Sequence, residues 1–361
     1  MKTFGQQYFE KTAYVNFDNN ARMKQVFEGD LDIERLVLSI SAETGVSIEA
    51  ENTLIIFDEV QEVPKALTSL KYFYENAPQY AIVAAGSLLG VALHQGTSFP
   101  VGKVDFLDLY PLNFREFLCA MGEKQFVSML DSCDTQMVTV FKTKYIERLR
   151  EYYFVGGMPE VVKDFSEKKD YNRVRAIQKN LINYYQQDFS KHAEIKLVPR
   201  LNLVWNSIPM QLAKENKKYI YGQVREGSRA KDFELAIQWL LDCGLIHKVQ
   251  RIQKPDLPLK AYIDFDAFKL FLVDIGLLIA MTDLDAKVII EGNKIFTEFK
   301  GALTEQYILQ QLISDVGVIP YYYSTQNSKG EIDFLVQGKT SVIPIEVKAE
   351  ENLKAKSLKA F

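Results

Sequence analysis

The segment that most constrains the fold is the apolar run of residues 54–57, which ends directly in the acidic pair Asp58-Glu59. A second apolar segment, residues 80–85, has the length and composition of a short buried strand. Helical spacing of apolar side chains predicts a helix over residues 63–74, between the two. Strand, helix and strand in this order are the repeat of a doubly wound parallel sheet, so this region predicts an α/β fold.

The acidic pair has the form of a Walker B motif. In that motif Asp58 would hold Mg²⁺ as a cofactor ligand, and Glu59 would orient or deprotonate the attacking water as the catalytic base. The triphosphate itself should be held by a Gly-x-x-x-x-Gly-Lys-Ser/Thr loop, the Walker A motif. The Gly-Lys-Thr at residues 338–340 does not qualify, because Asp333 stands where the first glycine is needed. We interpret it as a hairpin tip.

The residues ahead of the first predicted strand, 13–17, are too few for a strand, a phosphate loop and a full helix. Phe4, Tyr8 and Phe9 recur at helical spacing, as in the tail of the helix that follows a Walker A loop. We therefore expect the chain to begin just inside a longer reading frame, with Met1 an internal methionine. The chain as given is then expected to bind ATP only weakly, because the loop supplies most of the triphosphate contacts.

Composition excludes several classes of protein. The chain has 361 residues, 47% apolar content and a net charge of -4, which indicates two or three globular domains and argues against a surface devoted to nucleic acid. Three cysteines and three histidines are widely dispersed, so neither disulfides nor a His/Cys metal site is expected. The most apolar run, residues 268–281, is interrupted by Lys269, Asp274 and Gly276. We expect a cytoplasmic protein that does not span a membrane.

A series of short segments resembles one large prokaryotic group, the AAA-family ATP-binding proteins that are related to archaeal ATPases and carry an uncharacterised C-terminal domain. The segments occur in order at residues 55–61, 85–90, 100–104, 109–117 and 156–160. The resemblance implies ATP and Mg²⁺ as cofactors, and self-association is a further expectation because such modules often complete their site with a neighbouring subunit.

Two more site residues follow from this resemblance. Ser87 stands where these ATPases place the residue that senses the γ-phosphate; the alternative is that Ser87 caps a helix over residues 88–94. Lys103 stands where the group has a candidate arginine finger, and a lysine keeps the charge of arginine but loses its bidentate fork.

Helical stripes of aromatic and leucine residues over 113–119, 137–153 and 170–188 predict a helical lid. Two helices then follow, with a hairpin whose strands are predicted over residues 245–249 and 259–263, which is the order of a winged helix. Between Lys191 and Lys260 there are 13 Lys/Arg against 7 Asp/Glu. Arg225, Arg229 and Lys231 lie near the start of the second helix, where they could contact nucleic acid. The alternative is that this module only joins two larger domains through protein contacts.

A second acidic constellation lies near the C-terminus. Glu305 falls in a predicted helix over residues 294–314, and Asp333, Glu346 and Lys348 lie in a predicted hairpin. Helix Glu, strand Asp and then Glu-x-Lys resemble the core of PD-(D/E)xK nucleases. In that chemistry Asp333 and Glu346 would hold Mg²⁺ against a phosphodiester, while Lys348 would position or activate water.

The sequence therefore predicts four domains in an α/β chain. These are a truncated P-loop (AAA-type) parallel sheet over 1–110, a helical lid over 111–190, a winged-helix module over 191–263, and an α/β PD-(D/E)xK nuclease-like domain over 264–361 that is itself truncated. The first functional hypothesis is an ATPase that drives a DNA-binding, nuclease-like C-terminal half. The alternatives are a Mg²⁺-dependent nuclease with the ATPase remnant as scaffold, and a non-enzymatic module that binds DNA or protein.

Overall fold

The computed structural model describes residues 1–86, 102–214, 217–291, 297–325 and 330–348. The chain divides into two units. The first consists of residues 1–108 together with 242–244, and the second of residues 109–241 and 245–361. The change of unit after residue 108 lies close to the predicted end of the ATPase region at residue 110.

The first unit contains a three-stranded parallel sheet in the order β1-β2-β3. The strands are β1 (Lys11–Asn16), β2 (Thr53–Asp58) and β3 (Ala81–Ala84). β2 lies in the middle, and its residues Thr53 to Phe57 are all buried. The apolar run thus forms a strand because both of its faces are covered, as in other parallel sheets. This confirms the predicted strand, helix and strand.

Helices cover this sheet: α1 (Lys2–Tyr8), α2 (Ala21–Glu28), α3 (Ile33–Thr44) and α4 (Pro64–Asn76). Local sequence sets their ends. Asn20 and Asp32 accept hydrogen bonds from backbone N–H groups in the first turns of α2 and α3, and Pro64 opens α4. The core of the unit includes the rings of Phe17, Phe27 and Phe57, whose centroids lie 5.4 to 5.5 Å apart with edge-to-face geometry.

The second unit begins with helices. The structure gives α5 (Phe114–Ala120), α6 (Lys124–Asp131), α7 (Thr135–Val140), α8 (Lys142–Val155), α9 (Pro159–Lys168), α10 (Tyr171–His192), α11 (Val198–Leu212), α12 (Tyr221–Val224) and α13 (Ala230–Asp242). The helices predicted as a lid are therefore present, with the one predicted over residues 137–153 divided into α7 and α8. They belong to the second unit, not to the unit that holds the parallel sheet.

A five-stranded sheet follows, with strand order β5-β4-β6-β7-β8. Its strands are β4 (Ile246–Ile252), β5 (Ile263–Leu272), β6 (Tyr321–Ser324), β7 (Glu331–Gln337) and β8 (Val342–Ile345). Three further helices, α14 (Ile275–Met281), α15 (Ala286–Ile290) and α16 (Thr297–Ser314), lie between β5 and β6 in the chain.

This sheet contains strands from two predicted domains, residues 191–263 and residues 264–361. β4 pairs with β5 in antiparallel fashion and with β6 in parallel fashion, so the hairpin predicted for a winged helix and the strands predicted for a nuclease-like domain share one sheet. The predicted strand over residues 259–263 is wrong, because Leu259–Tyr262 is a 3-10 turn and β5 begins at Ile263. The prediction of a hairpin tip at residues 338–340 is confirmed, since β7 pairs with β8 across it.

The Gly156-Gly157 pair, part of the segment at residues 156–160, has a structural explanation. Gly156 adopts a φ of 74°, and a Cβ there would lie 2.2 Å from Asp274 Oδ2. A Cβ on Gly157 would lie 2.2 Å from the carbonyl oxygen of Leu112. The turn between α8 and α9 therefore approaches its neighbours so closely that only glycine fits.

Gly276, in α14, faces the same turn, and a Cβ on it would lie 2.6 Å from the Val155 carbonyl oxygen. We expect Gly276→Ala to lower the free energy of unfolding by about 2–4 kcal/mol through overpacking. Gly301, in α16, is the matched control because a Cβ there meets nothing within 4 Å. Gly301→Ala should raise stability by about 0.5–1 kcal/mol through helix propensity. Urea unfolding followed by circular dichroism measures both, and effects of equal sign would contradict this account.

Candidate functional site

The acidic pair lies at the carboxyl end of β2, the middle strand of the parallel sheet. Asp58 Oδ2 accepts a hydrogen bond of 2.6 Å from the hydroxyl of Tyr14 on β1, and Asp58 Oδ1 accepts one of 3.1 Å from the Glu59 N–H. The hydrogen bond to Asp58 raises the pKa of Tyr14, so this phenol stays a donor. Asp58 is a half-buried carboxylate held at the carboxyl end of the middle strand.

Glu59 follows with a left-handed backbone, φ 52°, which a non-glycine residue adopts only where its surroundings impose it. Its Oε2 accepts a hydrogen bond of 2.6 Å from Gln61 Nε2. The other side-chain atom of that amide, Gln61 Oε1, is buried without a partner among the described residues. A Cβ on Gly86 would lie 2.1 Å from Gln61 Oε1, so a larger residue where the chain leaves β3 would displace the Gln61 amide.

The other ATPase-type residues are distributed as follows. Ser87, the predicted γ-phosphate sensor, lies outside the described residues. Lys103 forms an ion pair with Glu75, 3.5 Å between Nζ and Oε1, and its Nζ lies 4.9 Å from the centre of the Tyr74 ring. Lys103 is therefore engaged at the C-terminal end of α4. The oxygen ligands of Asp58 suit Mg²⁺, which when bound would neutralise phosphate charge.

The second acidic constellation lies where β7 faces β8. Phe334 on β7 pairs with Ile345 on β8. In the same antiparallel register, the next pair away from the hairpin turn is Asp333 and Glu346. The Val347 N–H donates to Asp333 Oδ2 over 2.7 Å, and Lys348 Nζ lies 2.5 Å from Glu346 Oε1. Only 7% of the Glu346 side chain is exposed, and its Oε2 has no hydrogen-bond partner in the described part of the chain.

Glu305 reaches the same cluster from α16 and is 5% exposed. Its Oε1 is ion-paired with Lys217, and its Oε2 lies 3.6 Å from Nζ of Lys269. Lys269 also pairs with Glu331 at the start of β7. The structure thus brings together all four residues predicted for this site and adds three that the sequence reasoning missed: Lys217, Lys269 and Glu331.

One signal for Lys269 was present in the sequence. Lys269 interrupts the apolar run at residues 268–281. A lysine in the middle of a strand buried on both faces requires a carboxylate partner, because burying an unpaired charge costs too much.

The electrostatics of the cluster follow from burial and from these pairs. Burial, and then the neighbouring Glu305 carboxylate, raise the pKa of Asp333 to about 7. Burial would also raise the pKa of Glu305, but the ammonium groups of Lys269 and Lys217 lower it overall. Asp333 is therefore the carboxyl group that holds a proton near neutrality, and Glu305 is the one that stays ionised.

No group of three or more His, Cys, Asp or Glu side chains arranged to hold a metal ion occurs within residues 1–86, 102–214, 217–291, 297–325 and 330–348. The pair Asp333 and Glu346 nevertheless fits one hard cation, because both offer oxygen and Glu346 Oε2 is buried without a partner. Mg²⁺ bound there would polarise a phosphodiester.

Arg225, Arg229 and Lys231, predicted to contact nucleic acid, are all exposed. Arg225 directly follows α12, and Arg229 directly precedes α13. The backbone N–H of Arg229 donates to the Asp232 carboxylate over 2.8 Å, which starts α13 in the manner of a cap. The three cations therefore lie along one solvent-facing stretch of chain.

The raised pKa of Asp333 makes stability depend on pH. Between an ordinary value of 3.8 and about 7, the unfolded carboxyl group loses its proton while the folded one keeps it, so the folded state loses stability as pH rises. In buffer with EDTA, we expect Asp333→Asn to be about 2 kcal/mol more stable than the wild type at pH 8 and equally stable near pH 4. Asp266→Asn, at an exposed carboxylate, is the control and should follow the wild type. Parallel stability curves for Asp333→Asn and wild type would contradict this.

Comparisons with known proteins agree with part of this description. Residues 1–118 match the family model described as an AAA domain, residues 146–288 match a domain of unknown function (DUF8612), and residues 300–361 match another domain of unknown function (DUF4143). No curated protein matches the chain, and no solved structure does. Among the described residues, the helices are all too short or too polar to cross a membrane. The AAA match at the N-terminus and the DUF4143 match at the C-terminus support an AAA-family ATPase-like protein.

Proposed function

We propose that this protein is an ATP-binding AAA-family protein whose ATPase works together with a DNA-binding, nuclease-like C-terminal region. One observation carries the proposal: Asp58 and Glu59 stand at the carboxyl end of the middle parallel strand, within the residues that match an AAA domain. Ligands of open α/β sheets bind outside the carboxyl ends of the strands, so this edge is where a nucleotide would lie.

The two carboxylates take different roles in the proposal. Asp58 holds Mg²⁺ through its carboxylate, which the Tyr14 hydroxyl keeps oriented. Glu59 orients the attacking water and accepts its proton, and the amide of Gln61 fixes the Glu59 carboxylate for this. Lys103 and Ser87 remain proposed contributors to charge stabilisation and γ-phosphate sensing. DNA would be held by Arg225, Arg229 and Lys231, whose exposed cations suit phosphate contacts.

We expect the chain to bind Mg²⁺-ATP weakly, with a Kd on the order of 0.1–1 mM, because the sequence given contains no Walker A motif. Asp58→Asn should weaken binding about tenfold, which corresponds to about 1.4 kcal/mol, since it removes the charged ligand of the ion. Glu59→Gln should alter the Kd less than about twofold, because a base that acts on water contributes to turnover and not to binding. Fluorescence of a labelled ATP measures all three.

Lys339→Ala is the matched control for nucleotide binding, because Lys339 belongs to the Gly-Lys-Thr of the β7-β8 hairpin and is exposed. This variant should bind ATP as the wild type does. Loss of binding in Lys339→Ala, or unchanged binding in Asp58→Asn, would refute the proposed nucleotide site.

A second candidate function is cleavage of nucleic acid by the C-terminal cluster with Mg²⁺. The observation that favours it is the convergence of Asp333, Glu346 and Lys348 at one end of the β7-β8 hairpin, with Glu305 beside them. In this reading Asp333 and Glu346 hold the cation, and Lys348 positions the attacking water. The ATPase region then serves as scaffold.

Nicking of supercoiled plasmid with Mg²⁺ or Mn²⁺ tests this second function. Asp333→Ala and Lys348→Ala should each reduce the nicking rate by about a hundredfold or more, because each removes a group that acts on the reacting phosphate or water. Lys339→Ala, at the opposite end of the same hairpin, should nick at the wild-type rate. Plasmid left intact by the wild-type protein would count against cleavage.

A further inference from the structure

Lys269 lies in β5 and is completely buried. Burying an ammonium group is strongly unfavourable unless carboxylates surround it. Lys269 meets this requirement through its ion pair with Glu331 and through Glu305, whose Oε2 lies 3.6 Å from Nζ. Its Nζ also lies 4.7 Å from the centre of the buried Tyr322 ring, which adds a cation-π contact. The cluster therefore contains a permanent internal cation.

This cation changes what the surrounding carboxylates can bind. Both oxygens of Glu305 face lysines, Oε1 facing Lys217 and Oε2 facing Lys269. Glu305 Oε2 has no hydrogen-bond partner in the described part of the chain, but the ammonium group of Lys269 lies 3.6 Å from it, so a divalent cation bound to Glu305 would lie against a lysine charge. Glu331 is likewise held by Lys269.

The pair Asp333 and Glu346 differs in its counter-ion, because the Lys348 side chain is 39% exposed whereas Lys269 is completely buried. Glu346 has only its Oε1 in an ion pair, with Lys348, and its buried Oε2 has no hydrogen-bond partner in the described residues. Asp333 accepts the Val347 N–H on Oδ2. The unpartnered oxygen of a side chain that is 93% buried is the kind of group that a bound ion satisfies.

We propose that Lys269 is a positioning residue that takes the place of a second divalent cation: it holds Glu305 and Glu331, so that the site accepts a single Mg²⁺ ion on Asp333 and Glu346. The inference rests on the second candidate function and specifies its metal content. Glu305 then shapes the site without being a ligand of the ion.

Electron paramagnetic resonance of Mn²⁺ tests the proposal on the full chain. All variants carry Asp58→Asn, so that the N-terminal acidic pair does not contribute. The parent should bind one Mn²⁺, and Glu346→Gln should weaken that binding at least tenfold. Adding Lys269→Met should create a second Mn²⁺ site, because Glu305 and Glu331 lose their cation, and adding Glu305→Gln to that variant should remove it again. Lys269→Arg keeps the charge and should bind one ion.

Glu305→Gln in the presence of Lys269 tests the proposal independently of whether Lys269→Met folds. We expect its Mn²⁺ affinity to stay within about twofold of the parent or to increase, since the lysines already neutralise Glu305. A tenfold loss of affinity in Glu305→Gln, or two Mn²⁺ ions bound by the parent, overturns the inference and leaves the nuclease proposal standing. Absence of any Mn²⁺ binding by the parent overturns both.

Discussion

The second unit depends on one buried carboxylate, that of Asp274, at the N-terminus of α14. It accepts hydrogen bonds from the backbone N–H groups of Gly157 and Leu277 and from the side chain of Gln310. Burial raises the pKa of Asp274 and these donors lower it, so they offset part of the cost of burial. Because the donors come from the α8-α9 turn, α14 and α16, one side chain fixes three parts of the chain. α16 is also the helix that carries Glu305.

Glutamine side chains then set the position of α16 against the sheet. Gln306 accepts from the Leu272 N–H and donates to the Leu272 carbonyl, at the end of β5. An apolar contact would tolerate sliding, whereas a buried amide is satisfied in only one register. Gln306 adjoins Glu305, and Leu272 lies three residues after Lys269. The same two hydrogen bonds therefore fix α16 along β5 in the register in which Glu305 contacts Lys269.

Local sequence predicts the elements of the fold better than their pairing. The apolar run at residues 54–57 predicts β2, and the residues around Gly338 predict the hairpin, because each signal lies within the element itself. The parallel pairing of β4 with β6 had no such signal. Arg251 pairs with Tyr322, about seventy residues later. Which strand becomes the neighbour of β4 therefore depends on the packing of α14 and α16, which precede β6 in the chain. The sequence interpretation therefore divided a single sheet between two modules.

In the candidate C-terminal site, the sequence pattern predicts some of the residues, and tertiary packing adds others. The order of Glu305, Asp333, Glu346 and Lys348 was sufficient to name those residues, but Lys269 is contributed by a strand that the motif does not contain. An apolar residue at position 269 would avoid the cost of removing a charge from water, because this part of β5 is buried. It would leave the buried Glu305 and the half-buried Glu331 with one cation fewer. The lysine is thus explained by the acidic cluster and not by the stability of the strand that carries it.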